Sequence, residues 1–308
     1  MTTDTTPRGT FPVLCTPFRD DGAIDEADFD RLVDFVVGAG AEGCVYPGVA
    51  SEVGELSAEE RAGMVARLGA GLAGRIPFIV GASDDDPAAV AAHMEAGRAA
   101  GAVMAMVMAP QGAGPDTASQ IGFFRAVAQG SPLPVMLQNA SHGNGAALSP
   151  QAVAEIARAV PAIRAVKEET MPCGQNLTRI AEGCGEAIDG VFGGAGGRYI
   201  TDELARGSLG TMPAAELTDL HVALLRAWRA GRRPEARALF RDALPALNFQ
   251  AVFRMHMTKE TLRRRGVLRH THVRAAGPRM DDGDRAELAA LLDQLAPRLD
   301  AFPLRAAA

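Results

Sequence analysis

Tyrosine is nearly absent from this chain. Tyr46 and Tyr199 are the only two in 308 residues, Trp228 is the single tryptophan, and aromatics make up 5%. A site that works through phenol hydroxyls therefore has little to draw on. Long hydrophobic runs are missing too. None reaches the roughly 18 residues that span a bilayer, and the polar opening MTTDTTPRGT lacks the apolar segment of a secretory leader. There is no excess of positive charge. A net charge of −6 and a pI near 5.6 argue against nucleic acid as a partner. The run Arg263, Arg264, Arg265 reads as a solvated helix face or subunit contact, not a phosphate binder. Cys15, Cys44, Cys173 and Cys184 show neither CxxC nor metal-ligand spacing. They read as reduced thiols, and the expectation is a soluble, cytoplasmic protein without a membrane or metal partner.

What is present is a chain 47% hydrophobic and 22% charged, enough for one large domain or a domain with an appendage. Apolar runs occur at 11–15, 43–48, 77–82, 102–110, 134–139, 162–167, 190–194 and 210–213. Most are continuous, as in parallel strands buried on both faces. Helix signals lie between them. Phe29, Leu32, Val33 and Val36 follow i, i+3, i+4, i+7 spacing. Ser57 to Glu60 forms a capping box, and Asp86-Pro87 and Ser149-Pro150 place a cap before a first-turn proline. Residues 175–184 are weakly helical and 198–206 hold a short helix. Eight such units predict a (β/α)8 TIM barrel over 1–213, an α/β fold; a doubly wound sheet is the rival. Helical patterns at 215–231, 234–263 and 283–299 predict a C-terminal helical domain over 214–308.

Barrel sites lie at the C-terminal ends of the strands. Lys167 closes the sixth strand, Asn139 the fifth, and Gly48 to Glu52 follow the second. Lys167 reads either as a snorkelling strand-end lysine or as a Schiff-base amine, because an amine in an apolar pocket loses the solvation that favours its charged form. The loop GVASE is either an ordinary turn or a carboxylate nest built from the N–H groups of Ala50 and Ser51 and the Ser51 hydroxyl. Glu52 reads as structural. His142, in ASHGNG, is either idle or an acid–base group. His270 and His272 form an HxH pair without a third ligand, so no metal site is expected. The GGAGG stretch at 193–197 lacks the dinucleotide spacing and reads as a close approach of backbone to substrate, with Gly194 as the substrate-binding candidate.

Several motifs then occur in a telling order. They are TPF with D-G-x-I-D (16–25), G-x-x-x-E with L-S-x-E-E-R (48–61), L-S-P (148–150), V-K-E-x-T (166–170) and G-x-x-G-x-M-P (207–213). With them the chain resembles the dihydrodipicolinate synthase / N-acetylneuraminate lyase family of class I aldolases over nearly its whole length. The resemblance implies a (β/α)8 barrel with a helical C-terminal domain, a homotetramer, and a Schiff-base lysine at Lys167. It implies no cofactor.

The departures bear on the substrate. Gln138 stands where the family usually has tyrosine, Val49-Ala50 where it has paired hydroxyl residues, Ser51 where glycine is usual, Gln111 after Pro110 where tyrosine is common, and Gly143 where the synthase has arginine. Dihydrodipicolinate synthesis is therefore not expected. Dehydration needs no such phenol: the imine acidifies a C3 proton, and the C4 hydroxyl leaves as water with help from an acid. The Ser51-Glu52 pair and the Gln138-Asn139 strand end are similar to those of 2-keto-3-deoxyarabonate dehydratases. The expectation is a lyase that dehydrates a 2-keto-3-deoxy sugar acid through an imine on Lys167. Ala50 and Ser51 hold the carboxylate, Gln138 and Asn139 orient substrate or water, and His142 or Glu168 is the acid–base. Two alternatives stand beside it, a pyruvate-releasing aldolase and a 2-oxo-acid-binding protein without turnover.

Overall fold

A computed structural model describes residues 6–114, 116–141, 143 and 145–299. Eight strands form one parallel sheet: β1 Gly9–Thr10, β2 Cys44–Tyr46, β3 Phe78–Gly81, β4 Met104–Met108, β5 Val135–Asn139, β6 Ile163–Glu168, β7 Gly190–Gly193 and β8 Gly210–Thr211. Their order is β1-β8-β7-β6-β5-β4-β3-β2. Val13 closes the circle, bridging Val45 on one side and Ala214 on the other. The first ladder lies earlier and is shorter than the 11–15 run predicts. Pro12 has no N–H to donate, so regular pairing stops before it, and Pro213 limits β8 in the same way.

Seven helices connect the strands: α1 Glu26–Gly38, α2 Ala58–Leu72, α3 Pro87–Ala99, α4 Thr117–Gln129, α5 Pro150–Ala159, α6 Cys173–Cys184 and α7 Ile200–Ala205. Their starts are written in the sequence. The Asp25, Ser57, Asp86, Asp116 and Ser149 side chains each accept a hydrogen bond from an otherwise unpaired first-turn N–H. α8 Thr218–Arg229 packs on β1 as the eighth outer helix. Beyond it lie α9 Arg233–Phe253, α10 Met255–Arg264 and α11 Asp282–Leu295.

The core has two layers, as a filled barrel requires. Val13, Val45, Ile79, Met106, Met136 and Phe192 fill the interior. A larger apolar shell lies between strands and helices and includes Met255 and Leu262 of α10. Polar ties fix the C-terminal helices to the barrel mouth. Lys259 is fully buried, donating to Glu52 Oε1 at 2.5 Å and to the His272 carbonyl at 2.7 Å. Glu52 Oε2 accepts from the N–H groups of Arg274 and Ala275. Glu52 is thus structural, but its partners lie more than 200 residues away and not in its own turn.

The arginine run divides in a way that charge patterning does not predict. Arg263 and Arg264 pair with Glu260 near the surface. Arg265 is buried and forms two hydrogen bonds to Asp219. Among the described residues no helix is long and apolar enough to cross a membrane.

Candidate active site

A cavity of about 170 Å³ opens at the C-terminal ends of the strands, where barrel sites form. Val13, Met106, Lys167 and Met212 lie on its barrel side, and the loops after β2, β5 and β7 contribute Val49, Ala50, Ala140, Ser141, Ala195 and Gly196. Arg198 adds a charge from the β7–α7 connection. Gln250, Ala251, Arg254 and Met255 reach in from the junction of α9 and α10.

The pleat decides which strand-end side chains face this space. Successive residues of a strand point to opposite sides, and Gln138 is in register with Lys167 while Asn139 is in register with Glu168. Gln138 and Lys167 line the cavity. Asn139 and Glu168 turn away, toward the helices. There the Asn139 amide donates to the Leu148 carbonyl at 3.0 Å and to Glu168 Oε2 at 2.8 Å, and its oxygen accepts from the Leu148 N–H. Glu168 Oε1 accepts from the Thr170 N–H at 2.6 Å and from the Thr170 hydroxyl. Burial pushes the Glu168 carboxyl up to about 7, against the opposing hydrogen bonds from Thr170 and Asn139. The expected roles of Glu168 as acid–base and of Asn139 as a substrate contact are therefore corrected: both are committed to joining β5, β6 and the loops beyond.

The carboxylate that meets Lys167 is Glu169. Its Oε1 lies 3.1 Å from Lys167 Nζ and accepts from the Ala195 N–H at 3.3 Å. Its Oε2 accepts from the Gln138 amide at 2.6 Å. Burial pushes the Glu169 carboxyl up, but Lys167, Gln138 and Ala195 outweigh that and hold it below the usual range. The pocket around Lys167, only 4% exposed, is thus polar, not apolar as an imine lysine alone suggests. Sequence reasoning missed Glu169, yet a signal was there. In an extended strand the residue two beyond an inward lysine is inward again.

The strand 2 loop also divides. Ala50 lines the cavity together with Val49. Ser51 does not: its hydroxyl donates to the Leu14 carbonyl and accepts from the Gly48 N–H, and its own N–H donates to the Gly48 carbonyl. The Ser51 hydroxyl and N–H are spent on the turn, which corrects their assignment to the substrate. Gly194 is buried beside Glu169 and is not on the cavity wall. The other glycines of that stretch make similar room for the chain's own side chains. A Cβ at Gly193, Gly194, Gly196 or Gly197 would press on Glu203, Glu169, Arg198 or His221 respectively.

His142 lies outside the described residues. Gln111 donates to the Gly145 carbonyl. Tyr46 is buried against Phe29 with its hydroxyl 3.0 Å from Thr16 Oγ1, and Tyr199 is exposed. No tyrosine lines the cavity among the described residues. His270 lies 3.2 Å from Asp20, and His272 packs edge-on to Phe18. No cluster of three potential metal ligands occurs among the described residues.

A lysine at the end of a barrel strand, buried and paired to a carboxylate in a cavity, has the parts of imine chemistry. The model of the dihydrodipicolinate synthetase family matches residues 6–295. The chain is 32% identical over 311 residues to an L-2-keto-3-deoxyarabonate dehydratase of Azospirillum brasilense, covering 99% of each. It is 35% identical over 160 residues to a 4-hydroxy-tetrahydrodipicolinate synthase of Sphingopyxis alaskensis, covering 52% of this chain and 54% of that one. Among solved structures, a dihydrodipicolinate synthase from Rhodopseudomonas palustris superposes with a TM-score of 0.85 at 27% identity, covering 94% of this chain and 98% of that one. A prophage protein of the same family from E. coli K12, solved with pyruvate, superposes with a TM-score of 0.85 at 25% identity over 94% and 98% of the two chains. The chain belongs to the dihydrodipicolinate synthetase family and is a lyase of the class I aldolase type.

Proposed function

We propose that this protein dehydrates a 2-keto-3-deoxy sugar acid through an imine on Lys167. The observation that carries the reading is the contact between Lys167 and Glu169, with Gln138 holding the second carboxylate oxygen. The substrate carboxylate lies against Val49 and Ala50, which open a 3₁₀ turn whose first N–H groups have no acceptor within it. Glu169 takes a proton from the Lys167 ammonium, freeing the amine to attack the C2 carbonyl, and returns it to the carbinolamine oxygen, which leaves as water. The protonated imine draws electrons from C3, and Glu169, again a carboxylate, takes a C3 proton. It then gives that proton to the departing C4 hydroxyl, which leaves as water, a transfer suited to a positioned carboxyl. The similarity to the Azospirillum dehydratase over the full chain supports elimination over cleavage. So does the lack of a phenol on the cavity wall among the described residues.

Two measurements test this. Pyruvate with borohydride is expected to leave a reduced adduct on Lys167, visible by mass spectrometry and missing in Lys167→Ala. Turnover of 2-keto-3-deoxy acids is expected to yield a new 2-oxo acid with the carbon chain intact. Release of pyruvate from those acids would assign an aldolase instead, and binding without product a non-catalytic member.

A further inference from the structure

The outer part of the cavity carries more positive charge than imine chemistry uses. Arg198 and Arg254 both line it, one from the β7–α7 connection and one from the α9–α10 junction. Arg198 is half-buried, and Nη1 donates to the Leu247 carbonyl at 3.3 Å and to Gln250 Oε1 at 3.1 Å, both neutral acceptors. Neither guanidinium forms an ion pair among the described residues, whereas most other arginines here sit on a carboxylate. The two charges also oppose one another. Burial lowers the pKa of Arg198 and the proximity of Arg254 lowers it further, outweighing Tyr199, Cys173 and Glu169, which act the other way.

Arg254 is held there at a backbone cost. Its φ is 45° and its ψ −119°, a left-handed conformation that favours glycine and that side chains adopt when surroundings impose it. Glycine at that junction would relieve the strain but would remove the charge from the cavity. Gly196 serves the same end on the other wall: a Cβ there would lie 2.8 Å from Arg198 Nη1.

We infer that Arg198 and Arg254 form a distal anion subsite, so that the substrate is a 2-oxo acid with a second anionic group at the end remote from its 2-oxo carboxylate. A carboxylate or a phosphate ester supplies that charge, and a forked guanidinium matches either. The inference rests on the imine reading of Lys167. The substrate's first carboxylate must stay beside C2 at the loop after β2, which leaves both arginines for the far end.

The experiment compares kcat/KM of the full chain for three 2-keto-3-deoxy acids, ending in hydroxymethyl, carboxylate or phosphate. One anionic-ended acid is expected to exceed the hydroxymethyl acid by about tenfold or more, as a site built for a charged group discriminates against its absence. Raised salt should narrow that ratio. Arg254→Ala and Arg198→Gln should each lower it, and Arg254→Lys should keep part of it. Preference for the carboxylate names an aldaric-type substrate; preference for the phosphate names a phosphorylated one. Borohydride trapping of pyruvate on Lys167 is run alongside. A trapped adduct with no preference among the three acids overturns the distal subsite alone. So does a loss of pyruvate trapping in Arg254→Ala equal to the loss with the anionic-ended acid, since the arginine would then hold the 2-oxo carboxylate. No adduct in the wild type overturns the imine reading, and this inference falls with it.

Discussion

Glu168 and Glu169 are adjacent and identical in kind, yet the pleat sends them to opposite faces of the barrel wall. Glu168 has donors on both oxygens and closes a structural network with Asn139 and Thr170. Glu169 faces the Lys167 amine. The same substitution should therefore have opposite consequences at the two positions. Glu169→Gln keeps the shape but removes the proton carrier, so kcat should fall by about 10² to 10⁴, and borohydride trapping should slow, with melting temperature little changed. Glu168→Gln points an amide N–H₂ at groups that are themselves donors. It should cost roughly 1–3 kcal/mol of stability, read as a lower melting temperature, with a smaller effect on kcat. Equal kinetic loss at both positions would remove the distinction. Lys167 was legible in the sequence because a lysine ending an apolar run is rare. Glu169 was not singled out because the reading there followed adjacency along the chain, while the strand geometry follows a period of two.

At the scale of elements, strand runs and helix caps made the barrel legible, since both are local signals. The roof of the site was not legible. Gln250 and Arg254 reach it through contacts between segments more than 80 residues apart from Lys167 along the chain, and no periodicity encodes such a meeting. The glycine stretch after β7 serves two ends: Gly196 lines the cavity, while Gly193, Gly194 and Gly197 make room for the chain's own side chains. Gly194 tests this. A Cβ there would overlap Cγ of Glu169, so Gly194→Ala must displace the carboxylate from Lys167 and Gln138. The expected result is a fall in kcat larger than the rise in KM, because a misplaced catalytic group costs rate before it costs binding. A change confined to KM would mean that Gly194 touches substrate after all.

For the molecule as a whole, the cost of its buried acids sets how stability depends on pH. Burial pushes Glu168 up to about 7, Glu216 up to about 7 and Glu203 up to about 8, each from 4.5 when exposed. Glu203 is the extreme case. It is 1% exposed, neither oxygen has a hydrogen-bond partner among the described residues, and Asp202, Glu169 and Glu168 add repulsion to its desolvation. A carboxyl raised in the folded state binds its proton more tightly there than in the unfolded chain. The stability this gives is complete below pH 4.5 and is lost as pH rises toward 8, because the folded protein must then ionise groups it holds away from water. The melting temperature should thus decline from pH 5.5 to pH 8.5 rather than plateau. Glu203→Gln preserves volume and removes the most strongly raised group. It should flatten that decline and leave the variant more stable than the wild type at pH 8.5, by up to a few kcal/mol on the scale of about 1.4 kcal/mol per pKa unit. Thermal unfolding of both proteins across this range decides it. Parallel curves would show that Glu203 ionises without penalty, which requires a partner for its oxygens that is missing among the described residues.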